Sequence, residues 1–162
     1  MRIGVLSDTH LRQGQTLPAI VWRNLQGVDL ILHAGDVVAS GVLEELAAIA
    51  PVRAVQGNCD SWELIALPQR DIITCAGLRI GLIHGSGGQR ETTVERAWRA
   101  FERESVNAIV FGHTHGPFRE WRNGVLLFNP GSPTNKRRES RHSLGLLEIN
   151  HGEIRAEHCY FD

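Results

Sequence analysis

Short apolar runs, each followed by a small or polar turn residue, recur along the first two thirds of the chain. Runs of this length bounded by turn residues predict buried β-strands. The strands predicted in this part of the chain cover residues 2–6, 28–32, 52–55, 72–75, 78–83 and 108–111.

Between the strands, apolar residues recur at the spacing of one helix face. The predicted helices cover residues 15–26, residues from 40 to before Pro51, and residues 92–103. Over the first 55 residues strands and helices alternate, which is the order of a parallel sheet.

The last third of the chain is rich in β-strands joined by turn signals. Asn123-Gly124 separates residues 119–122 from 125–128 and suits a type I′ hairpin turn. A second hairpin is predicted from 143–149 and 153–160. The chain contains no internal repeat and no linker, so we expect a single domain over residues 1–162.

Five of the predicted strands end beside a carboxylate, amide or imidazole side chain. In open α/β sheets, ligands bind outside the carboxyl ends of the strands. We therefore expect these side chains to share one site. They are Asp8, His10, Asp36, Asn58, His84, His113 and His115.

The type and number of these side chains predict a metal centre. Carboxylate, amide and imidazole donors without a thiolate suit a borderline divalent ion. Seven donors are too many for one tetrahedral ion, but they suit two ions that share a carboxylate about 3.5–4 Å apart.

Composition narrows the class of protein further. A formal net charge of −1 gives no basic surface of the kind that binds nucleic acid, so nucleic acid is not the expected partner. Cys59, Cys75 and Cys159 are odd in number and lack a CxxC pair, which indicates a reducing compartment. No apolar segment approaches membrane-spanning length, and a strand begins directly after Met1, so we expect a cytoplasmic protein without a signal peptide.

The combined motifs resemble those of the calcineurin-like metallophosphoesterases. They are Asp8-x-His10, Gly35-Asp36, Gly57-Asn58, His84 and Gly112-His113-x-His115. The segment Asn129-Pro130-Gly131-Ser132 is similar to that of the small bacterial and archaeal phosphodiesterase branch, which also contains the eukaryotic retromer scaffold subunit. The resemblance covers residues 1 to about 149.

This resemblance implies a fold and a set of metal ligands. The fold is an α/β four-layer α/β/β/α sandwich of two mixed β-sheets flanked by helices. Asp8, His10 and His115 would hold one metal, Asn58, His84 and His113 the second, and Asp36 would bridge them. The expected cofactor is two divalent ions, with manganese first and nickel, iron or zinc as alternatives.

The resemblance also implies hydrolysis of a small phosphodiester by a hydroxide that bridges the two metals. A metal-binding protein-interaction scaffold, a phosphomonoesterase and a nuclease remain as alternatives, and a homo-oligomer is left open. The chain departs from larger relatives at Cys59, where they carry a histidine thought to meet the leaving-group oxygen. His33 is a further candidate, either for a direct or supporting role at the site or as a buried core histidine. The arginines at positions 12, 137, 138 and 141 are candidates for contact with substrate phosphate, with a solvated surface position as the alternative.

Overall fold

The computed structural model describes residues 1–88 and 90–162, which form two five-stranded sheets and three α-helices. In chain order the elements are β1 (Arg2–Leu6), α1 (Ala19–Leu25), β2 (Leu30–His33), α2 (Gly41–Ala47), β3 (Val52–Ala54), β4 (Arg70–Cys75), β5 (Leu78–Ile83), α3 (Thr93–Phe101), β6 (Ala108–Val110), β7 (Phe118–Arg122), β8 (Val125–Asn129), β9 (His142–Asn150) and β10 (Glu153–Phe161).

Both sheets are mixed. The first has the order β10-β9-β1-β2-β3, in which β1, β2 and β3 are parallel and β9 pairs antiparallel with β1. The second has the order β4-β5-β6-β8-β7, with β5, β6 and β8 parallel. Helices connect the parallel neighbours β1 and β2, β2 and β3, and β5 and β6, whereas two-residue turns connect the antiparallel hairpins β4–β5, β7–β8 and β9–β10.

Three apolar clusters bind the layers together. The central cluster lies between the two sheets and includes Val5, Leu82 and Phe128. A second cluster joins α1 and α2 to the outer face of the first sheet, and a third joins Phe101 of α3 to the outer face of the second sheet. The layers therefore run α/β/β/α, which confirms the fold expected from the sequence.

Several predicted boundaries differ from the structure by a few residues, and two of these differences have a clear local cause. Helix α1 begins at Ala19 rather than residue 15, because Pro18 has an extended ψ of 142° and proline also drives the residue before it out of the helical region. Strand β2 begins at Leu30 rather than Val28. Gly27 turns the chain there with a φ of +74°, and the Val28 N–H bonds back to Leu25.

The topology brings the carboxyl ends of five strands to one edge of the sandwich. The loops that follow β1, β2 and β3 come from the first sheet, and those that follow β5 and β6 come from the second. All seven donors predicted from the sequence lie in these five loops. Among the described residues, no helix combines the length and apolar character that a bilayer span requires.

Candidate metal centre

Backbone hydrogen bonds tie neighbouring loops together within each sheet. The Asp8 N–H donates to the Gly35 carbonyl at 3.0 Å, and the His10 N–H donates to the Asp36 carbonyl at 3.1 Å. In the second sheet, the Gly112 N–H donates to the His84 carbonyl at 3.2 Å. The donor side chains therefore sit on backbone that is fixed on both sides.

Most of the predicted donors have a left-handed backbone conformation. This region is sparsely populated by residues other than glycine, and it persists only where surrounding contacts impose it. Five of the seven adopt it: Asp8 (φ 55°), His10 (φ 47°), Asp36 (φ 55°), His113 (φ 70°) and His115 (φ 62°). Such a concentration of strained residues in facing loops is typical of a functional site.

Asp8, His10 and His115 form the first of two donor groups. The Nε2 atoms of the two histidines lie 3.1 Å apart, and Asp8 Oδ1 lies 3.4 Å from His115 Nε2 and 3.9 Å from His10 Nε2. Asp8 Oδ2 accepts hydrogen bonds from Ser7 Oγ at 2.7 Å and the His113 N–H at 2.9 Å.

The other carboxylate oxygen of Asp8 indicates what this group binds. Asp8 Oδ1 is buried and finds no hydrogen-bond partner among the described residues. An unpaired buried acceptor is costly unless a cation or donor meets it. Because Oδ1 faces two imidazole nitrogens, one divalent ion would satisfy all three atoms, and the donor set fits that ion.

Asn58, His84 and His113 form the second donor group, which Asp36 contacts through His84. Asp36 Oδ2 lies 3.3 Å from His84 Nε2, and His84 Nε2 lies 3.1 Å from Asn58 Oδ1. The ring of His113 stands 5.2 Å from that of His84, at 80° between planes. The remaining Asp36 oxygen, Oδ1, accepts the Cys59 N–H at 2.7 Å.

Two of the imidazoles are oriented by backbone carbonyls. His84 Nδ1 donates to the Ala34 carbonyl at 2.8 Å, and His115 Nδ1 donates to the Asn135 carbonyl. A carbonyl only accepts, so the hydrogen of each neutral ring must reside on Nδ1. The lone pair is then on Nε2, which is the nitrogen that faces the other donors, as in many metal-bound histidines.

The protein environment favours the deprotonated forms of several donors, which are the forms that bind metal. Burial lowers the pKa of His10 and His113, and lowers that of His115 to about 4. Burial alone would raise the pKa of Asp36, but the hydrogen bond and charge of His84 outweigh it, so this pKa falls below its ordinary value.

The pKa values of the remaining two titratable donors, Asp8 and His84, are shifted in the opposite direction. Burial raises the pKa of Asp8 to about 6. Burial alone would lower the pKa of His84, yet its hydrogen bond to Asp36 and the charge of Asp8 raise it. Protonation is therefore favoured at Asp8 and His84, which with Asp36 form a further three-donor group among the described residues.

Glycines permit the closest approaches in the site. A Cβ at Gly57 would overlap the backbone nitrogen and Oδ1 of Asp36, and a Cβ at Gly112 would overlap Ser7 Oγ. Neither glycine needs a positive φ, so the requirement at both positions is space.

The segment that begins at Asn129 packs against the site. Asn129 Nδ2 donates to the Gly112 carbonyl at 2.9 Å, and Ser132 Oγ donates to the Asp8 carbonyl at 2.7 Å. The Asn135 N–H in turn donates to Ser132 Oγ at 2.8 Å. Sequence reasoning missed Asn135 and Ser7, since Asn135 acts through its backbone carbonyl and Ser7 carries no motif of its own.

The other candidates lie outside the two donor groups. His33 is fully buried with Nε2 3.3 Å from Thr9 Oγ1, and burial lowers its pKa to about 3. His33 contacts Thr9, the residue between Asp8 and His10 in the chain, which fits a supporting role. Arg137 is exposed, and its positive charge contributes to the lowered pKa of His10, His113 and His115.

An open cleft of about 610 Å³ lies beside the second donor group. Asn58 and His84 line it, together with Gln56, Arg70 and Ser86. Its volume is in the range of small-molecule sites, which is about 300–1,000 Å³.

Comparisons with known proteins agree with the fold and show the family. Residues 1–152 match the family model described as the calcineurin-like phosphoesterase superfamily domain. The chain is 39% identical over 135 residues to a probable metallophosphoesterase of Methanothermobacter thermautotrophicus, covering 83% of this chain and 78% of the relative. It is 28% identical over 145 residues to a phosphodiesterase of Methanocaldococcus jannaschii, covering 81% and 83%. Wild-type Vps29 of Entamoeba histolytica complexed with Zn²⁺ has the same fold, with a TM-score of 0.76, 23% identity and 100% of both chains covered.

Proposed function

Since the chain belongs to the calcineurin-like phosphoesterase superfamily, we propose that it is a phosphodiesterase that hydrolyses a small phosphodiester at a centre of two divalent metal ions. Family membership supports a metal-dependent phosphoesterase. The phosphodiesterase from Methanocaldococcus jannaschii, which resembles the chain over most of its length, supports a diester as the substrate.

The observation that carries the proposal is the position of Asp36 between the two donor groups. Its Oδ2 lies 3.5 Å from His10 Nε2 in the first group and 3.3 Å from His84 Nε2 in the second. A carboxylate in contact with one member of each group is the expected bridge between two ions. Asp8, His10 and His115 would hold one ion, and Asn58, His84 and His113 the other.

When bound, two such ions supply Lewis acidity toward the phosphoryl oxygens and lower the pKa of water, which provides the nucleophile. The chain contributes the arrangement of the donors. Asn135 and Ala34 fix the ring orientations of His115 and His84, and the left-handed loops point the donors toward one another. Preorganised charge of this kind needs no reorganisation during the reaction.

The surroundings of the centre favour a small substrate. The cleft of about 610 Å³ beside Asn58 and His84 accommodates a small ester. Arg137 carries a positive charge that acts on histidines of both donor groups, which suits an anionic phosphate. A formal net charge of −1 does not suit a long nucleic acid.

The donor chemistry and a relative support the choice of metals. Oxygen and imidazole donors suit manganese, which we propose as the activating ion, and nickel, iron or zinc remain alternatives. The complex of Entamoeba histolytica Vps29 with Zn²⁺ supports zinc as one of these.

A panel of esters assayed with each metal tests the proposal. We expect bis-nitrophenyl phosphate to be hydrolysed faster than nitrophenyl phosphate when manganese is present, and chelation to abolish both activities. Asp36→Asn should lose turnover and bound ions together. Asp29→Asn, a matched change at a residue that bonds to the Arg2 N–H away from the site, should retain both.

Each alternative predicts a different result in the same panel. Faster hydrolysis of the monoester would indicate a phosphomonoesterase. Full metal binding without hydrolysis of any ester would indicate a metal-binding scaffold. Full activity and ion content in Asp36→Asn would contradict the bridging role.

A further inference from the structure

A thiol lies among the donors of the proposed metal centre. Cys59 Sγ is within 4.8 Å of a nitrogen of His10 and a carboxylate oxygen of Asp36, and these three atoms form a separate group with the spacing of metal ligands. His10 and Asp36 are themselves in contact, with Nε2 and Oδ2 3.5 Å apart. The sulfur therefore lies close to the contact between His10 of the first donor group and Asp36.

The backbone, rather than the sulfur, fixes Cys59 in this position. Its N–H donates to Asp36 Oδ1 at 2.7 Å. The preceding turn is held by Asp60, whose carboxylate accepts the N–H groups of Gly57 at 2.6 Å and Val38 at 2.8 Å. The thiol is exposed to solvent and accepts one weak hydrogen bond, from Asn58 Nδ2 at 3.3 Å. Rotation about one side-chain bond is then enough to redirect the sulfur.

The other two cysteines lack these features. Cys75 is at the end of β4, and Cys159 is in β10. Both are partly buried and pack against apolar clusters. Neither joins a group of metal donors among the described residues. Cys75 and Cys159 can therefore be replaced without removing a candidate metal donor.

We propose that Cys59 is a thiolate donor that joins His10 and Asp36 when a thiophilic divalent ion, such as Zn²⁺ or Cd²⁺, enters the centre. This inference rests on the proposed metal centre and adds a donor to it. On binding, the S–H bond breaks, the proton passes to solvent, and a sulfur–metal bond forms.

The additional donor changes the metal preference of the centre. Thiolates favour soft ions, whereas manganese prefers oxygen and imidazole donors. Manganese is therefore bound without the sulfur, and a thiophilic ion is bound with it. The same centre has two ligand sets, and Cys59 makes it more selective for the softer ions than its oxygen and imidazole donors alone would.

Cadmium provides a direct test, because a sulfur–cadmium bond produces a charge-transfer absorption in the ultraviolet. The experiment uses full-length protein that carries Cys75→Ser and Cys159→Ser, so that Cys59 is the remaining thiol. Titration with Cd²⁺ should produce this absorption. Adding Cys59→Ser should abolish it and weaken Cd²⁺ binding at least about tenfold, the scale seen even for outer-shell partners. Manganese affinity, measured by calorimetry in parallel, should not change.

Alkylation gives a second, independent measurement. Iodoacetamide should modify Cys59 in the metal-free protein and in the manganese-loaded protein, whereas Cd²⁺ should protect it, as read by mass spectrometry. Cadmium binding without the absorption, or an absorption that survives Cys59→Ser, would overturn the inference while leaving the metal centre intact. Absence of binding by both ions would overturn the proposed centre and the inference with it.

Discussion

His10 and His115 face each other through like atoms: their Nε2 nitrogens lie 3.1 Å apart, and their rings stack with centroids 4.9 Å apart and 19° between planes. His115 carries its hydrogen on Nδ1, where the Asn135 carbonyl accepts it, so its Nε2 presents a lone pair. Two nitrogens bound to one tetrahedral ion at about 2.0–2.1 Å would lie roughly 3.3 Å apart. The 3.1 Å between the two Nε2 atoms is therefore close to the distance that a shared ion requires.

Metal binding should stabilise the folded protein. We expect two manganese ions per chain at saturation, and a melting temperature that rises with manganese concentration. Free metal at 100 times its dissociation constant adds about 2.7 kcal/mol per site to the free energy of unfolding. His115→Ala should reduce both effects, whereas His151→Ala, in the exposed turn between β9 and β10, should not. Elemental analysis measures the number of ions per chain, and thermal unfolding measures the melting temperature. One ion per chain at saturation would contradict the two-metal centre.

Asp8→Asn should stabilise the metal-free protein at alkaline pH while weakening metal binding. Burial raises the pKa of Asp8 from 3.8 to about 6, so the folded state retains a proton that the unfolded state releases. Stability attributable to this group is therefore lost as the pH rises from about 4 to 6 and remains lost above that range. At 1.36 kcal/mol per pKa unit, we expect the variant to gain about 1–3 kcal/mol at pH 8.

Asp36→Asn should have the opposite effect on the free energy of unfolding of the metal-free protein. The pKa of Asp36 is lowered, so its contribution to stability is present above its unfolded pKa of 3.8 and is lost as the pH falls below it. This variant should lose stability at pH 8. Urea denaturation with a chelator present measures the free energy of unfolding of both variants. Equal effects of the two substitutions would contradict the opposite pKa shifts of Asp8 and Asp36.

Gly57→Ala should damage the site through steric overlap. The added methyl would overlap the backbone nitrogen and a carboxylate oxygen of Asp36, and overpacking of this kind costs about 1–3 kcal/mol. We expect a lower melting temperature and weaker metal binding. Gly41→Ala is the matched control, because a Cβ at the start of α2 meets nothing within 4 Å. A Gly57→Ala variant that retains full metal affinity would show that Asp36 can move without loss.

Cys59→His should change how the rate depends on the leaving group. A thiol is a weak proton donor to a departing oxygen, and general acid catalysis contributes about 10²–10⁴-fold. The manganese-loaded protein should therefore hydrolyse nitrophenyl esters readily and alkyl esters slowly, and Cys59→His should favour alkyl esters. A series of diesters with graded leaving-group pKa measures the slope, with Cys59→Ser as the control. A shallow slope in the unmodified protein would indicate a different proton donor.

The sequence predicted which strand ends lie together better than it predicted the contacts that hold the donor side chains in place. Apolar strands followed by polar residues are a local pattern. Parallel pairing brings their ends together within each sheet, and the packing of the two sheets brings the two sets of ends to one edge. The hairpin at Asn123-Gly124 was equally local, since both residues adopt the positive φ that a type I′ turn requires. The Asn135 carbonyl acts on His115 across 20 residues through a backbone atom that every residue possesses. No side-chain pattern marks such a contact, so only the folded structure reveals it.

The attachment of the segment after Asn129 to the donor loops has a consequence for synthesis of the protein. All seven donors are present once the ribosome has translated residue 115, but Ser132 and Asn135, which bond to Asp8 and His115, are not. Strand β1 also lacks its antiparallel neighbour until β9 has been made. A nascent chain of this length therefore contains the proposed metal donors before these supporting contacts can form, and the geometry of the proposed centre is completed only after residue 135 has been made.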